Sequence, residues 1–244
     1  MISFLAVFLG WLIQGFLGIG SGIISTAVLL FFYDAKTVVV SLSVVALLGT
    51  LYLSFLNFRG NFFLKDILIL SLFSFMGVWV GSYYLQILDQ KYIYLVFGIV
   101  VVLAGFYDIY FKQRNTFVRK TYGKFSAGLV GTVGGVISGL IGGSGPLYAF
   151  YLNHRFEHKE DFKFVLSVVF STLNVERMIF YLLSPDLNKN FSAEIMIPGM
   201  LGVFAGAYIG NLLTDKISTE RFKKAVSTGI TIFGIYFIYK GITQ

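Results

Sequence analysis

Three neighbouring residues have the types and spacing for chemistry. Asn174, Glu176 and Arg177 lie in residues 165–183, a stretch with no other charged side chain. A charge inside so apolar a stretch is costly and marks function by default. At helical spacing Asn174, Arg177 and Tyr181 fall on one stripe, while Glu176 points about 100° away. Arg177 could clamp an anion, and Glu176 could carry a proton. A buried ion pair between them, or a helix end close to the bilayer surface, are the competing structural readings.

Two glycine clusters offer a second kind of chemistry: Gly18, Gly20 and Gly22, then Gly142, Gly143 and Gly145. Glycine clusters break helices. A half-helix that begins after a break points its unpaired N–H groups and positive dipole end outward. Two such starts, at Gly20-Ser21-Gly22 and Gly143-Ser144-Gly145, would hold an anion between them. Ser21 and Ser144 would add hydroxyl donors, and Pro146 suits a first helical turn because its missing N–H is not needed there. The competing use, close helix packing, favours a four-residue spacing over this clustering. Gln14, in the first half-helix, and Thr50, in the polar stripe Thr50, Ser54 and Asn57, complete the expected substrate lining.

The elements that must position these residues are apolar. Of 244 residues 57% are hydrophobic and 13% charged, about half the charge of a typical soluble domain. Uncharged segments run over 2–33, 37–58, 67–88, 92–107, 125–153, 164–175 (extending to 185), 195–214 and 225–239. A bilayer span needs roughly 20 apolar residues, so the chain reads as an all-α polytopic membrane protein. The first segment lacks a basic lead-in and an A-x-A-like cleavage site, which reads as mature protein rather than a signal peptide. The net charge of +7 comes from bases that flank spans, which fits topology better than nucleic acid. His154 and His158 share a charged loop; no metal or cofactor is expected. With no cysteine, no HExxH and no serine beside an evident base, catalysis is not expected either.

Segments 2–33 and 125–153 are too long for one crossing, at roughly 45 Å against a core of about 30 Å. Both contain a glycine cluster, so each reads as two pieces joined by a break. The halves also resemble each other. Leu42-Ser43-Val44-Val45 recurs as Leu166-Ser167-Val168-Val169, Gly20-Ser21-Gly22 as Gly143-Ser144-Gly145, and Gly77, Gly81 and Lys91 as Gly202, Gly206 and Lys216. Residues 1–112 and 125–244 are the two repeats, and 113–124 is a basic linker.

Charge orients them. If all eight segments cross once, each face receives nine bases. If the two broken segments are re-entrant, one face collects Arg59, Lys65, five bases of 112–124, Arg155, Lys159, Lys163 and four of 216–224, fourteen in all. The other keeps Lys36, Lys91, Lys189 and Lys240. Only the second arrangement obeys the positive-inside rule, and it makes the linker cytoplasmic. Three crossings per half then invert the second repeat relative to the first. Inverted repeats with broken helices are the usual construction of secondary transporters, with substrate near the midplane.

The segment Gly15-Phe16-Leu17-Gly18-Ile19-Gly20-Ser21-Gly22, and Gly142-Gly143-Ser144-Gly145-Pro146 followed by Tyr151-Leu152, resemble the two signatures of the sulfite exporter TauE/SafE family, also called the toluene sulfonate uptake permeases. Asn174 and Arg177 fall where that family carries an arginine-bearing helix. The chain departs from the pattern by a serine in each cluster and by Ser25-Thr26-Ala27 where a proline is common. The resemblance implies a multi-pass protein of a bacterial inner membrane that moves sulfite, sulfoacetate or other organosulfonates. A small anionic substrate and lipid are the expected partners, and a homodimer is an open option. A passive anion channel is the alternative, and an intramembrane enzyme a more distant one.

Overall fold

The computed structural model describes residues 1–110, 124–152, 155–156, 158–214 and 219–243. The linker 113–124, apart from the backbone of Lys124, and His154 lie outside the described residues. Every element is helical: α1 (Ile2–Leu17), α2 (Ser21–Leu29), α3 (Ala35–Asn57), α4 (Leu64–Ile87), α5 (Gln90–Tyr110), α6 (Lys124–Ile141), α7 (Gly145–Leu152), α8 (Lys159–Leu183), α9 (Pro185–Asn188), α10 (Ala193–Leu212) and α11 (Thr219–Thr243).

Four helices, α3, α4, α8 and α10, are long and apolar enough to cross a bilayer; shorter apolar helices accompany them. Large apolar side chains cover the exterior, among them Leu72, Met76, Leu103, Leu201 and Ile232. Gln14, Ser21, Thr50, Asn174 and Arg177 are buried inside. That distribution suits hydrocarbon, since a soluble monomer rarely exposes such continuous apolar surface. The protein is a multi-pass membrane protein.

Both glycine clusters interrupt their helices. Gly18 (φ +83°) caps α1, Gly20 (φ +123°) precedes α2, and Gly142 (φ +72°) ends α6. Non-glycine residues adopt such backbone only with strain. Each break is a reversal. Along α1 and α2, Gln14 meets Ser21, while Ser25 Oγ donates to the Ala6 carbonyl. Along α6 and α7, the Tyr148 ring lies over Gly134, and its hydroxyl reaches the Gly131 carbonyl. Both long segments are therefore helical hairpins.

The hairpins dock crosswise. α1 packs on α10 and α6 on α4, while α3 packs on α8 and α5 on α11. Helical glycines allow the close approach. Gly77 and Gly81 sit against the α6 backbone, and Gly202, Gly206 and Gly210 against that of α1. Small residues take this role where lipid supplies no hydrophobic drive between helices. The fold thus uses glycine in two ways, as packing surface within helices and as a hinge at the breaks.

Polar contacts sort the loops into two ends. Arg59 pairs with Glu160 at 3.3 Å, and Arg155 pairs with Asp66. At the opposite end Lys36 donates to the Gln86 carbonyl, Gln86 to Asp186, and Asn190 to Thr37. Arg59 and Arg155 therefore share an end, as do Lys36 and Lys189, whose partner is Asp186. The arrangement with eight single crossings would have separated both pairs.

Candidate functional site

The two breaks meet. A Cβ placed on Gly22 would collide with the Gly142 carbonyl, Ile23 flanks Gly143, and Ile19 flanks Gly145. Between them lies a cavity of about 40 Å³, enough for roughly three waters at the ~10–15 Å³ each requires. Its lining includes Gln14, Gly20, Ser21, Gly22, Thr50, Gly143, Ser144, Gly145, Asn174 and Arg177. All ten residues expected at a substrate site converge there. Glu176 does not line it.

Arg177 enters from α8 and is only 3% exposed. Its Nη1 donates to Asn174 Oδ1 (3.0 Å), Nη2 to the Val39 carbonyl (3.1 Å) and Nε to the Tyr181 hydroxyl (3.3 Å). Tyr181 in turn donates to the Gly139 carbonyl at 2.6 Å. These contacts fix the guanidinium beside Gly142 and leave two of its five N–H donors unassigned. Among the described residues no carboxylate stands within ion-pair distance of Arg177. The expected alternative, an ion pair with Glu176, is absent. Glu176 keeps a buried Oε2 with no hydrogen-bond partner.

The other polar groups are set to donate. Gln14 Oε1 accepts from the Ser21 N–H (3.1 Å) and from the Ser21 hydroxyl. That assigns the Gln14 amide, whose NH₂ is then free for the cavity. Asn174, with its Oδ1 taken by Arg177, presents its NH₂ in the same way. The backbone N–H groups of Gly22, Gly143, Ser144 and Gly145 have no protein acceptor among the described residues. Neither does the Ser144 hydroxyl, and that side chain is 4% exposed. Gly143 and Ser144 are buried, Gly22 and Gly145 half-buried; donors so placed are usually paired, and here they face the cavity instead.

One expectation changes in detail. Ser21 spends its hydroxyl proton on Gln14, so it positions the amide rather than adding a donor. Thr50 donates to the Leu47 carbonyl and accepts from Ser171, so it forms wall and supplies no proton. Sequence reasoning missed Ser138, Ala46 and Phe170 as lining residues. The repeat offset could have found Ser138, which lies 124 positions after Gln14; Ala46 and Phe170 share that offset with each other, as do Thr50 and Asn174, but neither Ala46 nor Phe170 was expected.

Among the described residues no group of three or more His, Asp or Glu could hold a metal. A cavity rich in donors, holding an uncompensated cation and no carboxylate, suits a small anion. No curated protein and no solved structure matches the chain. The family model described as sulfite exporter TauE/SafE matches residues 3–237. With the match running from the first hairpin into the last helix, the chain belongs to the sulfite exporter TauE/SafE family.

Proposed function

We propose that the protein is a secondary transporter that moves a small sulfur-containing anion (sulfite, sulfoacetate or another organosulfonate) across the cytoplasmic membrane. The anion sits between the starts of α2 and α7 and against Arg177. One observation carries this reading: Arg177 is buried without a counter-charge, beside unpaired N–H groups from both breaks. Burying a lone cation costs several kcal/mol, so a bound anion completes the site. The family, a transporter family, supports the same conclusion.

In this reading residues 1–112 and 125–244 are inverted repeats. The exchanged partners α1·α10 and α6·α4 support a pseudo-twofold relation, as do the lining pairs 124 residues apart. With both hairpins re-entrant, each half crosses an odd number of times. The end bearing Arg59 and Arg155 is the cytoplasmic one in this reading, by the excess of bases that the sequence assigns to it, and the basic linker 113–124 is cytoplasmic with it. Glu176, a carboxyl at membrane depth with no partner, is the proton-coupling candidate.

The test is counterflow in proteoliposomes. Labelled sulfite should accumulate transiently against a preloaded unlabelled pool, and an Arg177→Met variant should not exchange. Flux that rises without saturation and shows no counterflow would establish a passive channel instead.

A further inference from the structure

A second cavity lies behind the anion site. It measures about 410 Å³ and is walled by Val100 and Leu103 of α5, Val133 and Ile137 of α6, and Leu147 and Phe150 of α7. It ends on Gly143 and Ser144, which also line the anion cavity, so the second break is a shared wall.

Three facts define what fills it. The lining carries no charged side chain, and Ser144 brings its one hydroxyl. Apolar cavities of this kind stay dry. The volume is ten times that of the anion cavity, room for a chain of methylene groups rather than a single water. Finally, its rim is exterior: Leu103 is 63% exposed, Val133 44% and Phe150 37%. They belong to the same apolar exterior as Leu72 and Met76, the surface that hydrocarbon bathes in a protein of this class. A hydrocarbon group matches the lining and reaches the mouth from the surroundings.

We propose that this cavity binds one acyl chain of a membrane phospholipid, which enters between α5 and α7 and ends against the reverse side of Gly143 and Ser144. The chain backs the second break with hydrocarbon, so the loop bearing the unpaired N–H groups rests on a filled support. The headgroup stays at the membrane surface and takes no part in the cavity.

The proposal is tested on the full chain in proteoliposomes of phosphatidylethanolamine and phosphatidylglycerol, without sulfite. A trace phospholipid carries a diazirine near its chain end; after illumination, adducts are mapped by peptide mass spectrometry. Ile137 and Leu147 should label as strongly as the openly lipid-facing Leu72 and Met76. In Ala104→Phe, which fills the cavity, and separately in Leu103→Trp, which blocks its mouth, their labelling should fall to that of buried Leu166. Leu72 should not change. Wild-type Ile137 and Leu147 labelled no more than Leu166 would overturn the proposal, as would labelling that ignores both substitutions. The chain has no cysteine, so Val133→Cys gives a clean check for a second copy: quantitative cross-linked dimers in place of lipid adducts would also overturn it. The assay needs no anion, so its outcome is separate from that of the transport reading.

Discussion

Replacing Arg177 by methionine should remove anion binding and leave a folded protein. Arg177 offers two unassigned N–H donors to the cavity. Hydrogen bonds to charged groups contribute about 1.5–3 kcal/mol each, so the loss is at least about 3 kcal/mol, roughly a hundredfold in Kd. The consequence can be read by thermal shift in detergent. Sulfite at a hundred times its Kd stabilises the native protein by about 2.7 kcal/mol, or roughly 5–10 °C at the ~2–4 °C per kcal/mol of a chain this size. At the same concentration, an Arg177→Met variant with a hundredfold weaker site gains only about 0.4 kcal/mol, near 1 °C. Arg177→Lys should fall between, since it keeps the charge but loses the fork that Asn174, Tyr181 and Val39 now orient. Isothermal titration supplies the Kd directly, and gel filtration shows whether each variant is folded. An Arg177→Met protein that is monodisperse and binds with wild-type affinity would remove the buried cation from the explanation.

The two serines should separate. Ser144→Ala removes a free hydroxyl and should weaken sulfite binding by about 1 kcal/mol, several-fold in Kd, with little change in melting temperature of the unliganded protein. Ser21→Ala instead strips Gln14 of a donor, and should lower that melting temperature more than it weakens binding. Gly142→Ala puts a Cβ at φ +72° beside the Arg177 guanidinium; about 1–2 kcal/mol of backbone strain and a displaced cation should reduce both stability and affinity. Glu176→Gln should leave equilibrium sulfite binding intact while proteoliposome uptake stops responding to an imposed pH gradient; a loss of binding in that variant would place Glu176 in the site.

Much of this architecture was legible because the membrane narrows the options. Only helices satisfy their own backbone in lipid, so apolar length located the helices, and the glycine clusters located the breaks. The convergence of Gln14, Ser21, Ser144, Asn174 and Arg177 followed from a single idea: half-helix starts and a lone arginine both seek negative charge. What the sequence could not give was which protons are already spent. Ser21 and Ser144 occupy equivalent places in the two clusters, yet Gln14 takes the proton of one and leaves the other free. Thr50 lines the cavity as its place in the polar stripe suggests, yet its proton is committed to the Leu47 carbonyl. Such commitments depend on side-chain directions that spacing alone does not fix. Glu176 lies beside Arg177 in sequence yet faces elsewhere, as the 100° step between adjacent helical residues requires.

That uneven use of equivalent positions bears on mechanism. The hairpins are built alike, but the charge comes from α8 alone: Leu53, which lies 124 positions before Arg177, is a buried aliphatic residue. An anion at the junction would therefore be held more tightly from the α7 side, where Arg177, Asn174 and the Ser144 hydroxyl gather, than from the α2 side, which offers backbone N–H and the Gln14 amide. A carrier must release its substrate as well as bind it. Rocking the α1–α2 hairpin away costs the anion neutral hydrogen bonds only, whereas moving α8 away would leave a cation and an anion both poorly solvated. The lower-cost motion is that of the α1–α2 hairpin together with α10, on which α1 is packed, away from α7 and α8, which keep the anion. Cysteine pairs at Leu9 and Ile179, and at Phe150 and Ile179, all exposed positions in this cysteine-free chain, spin-labelled and measured with and without sulfite, should show the first distance change while the second stays fixed. A change in the second distance alone would refute this assignment.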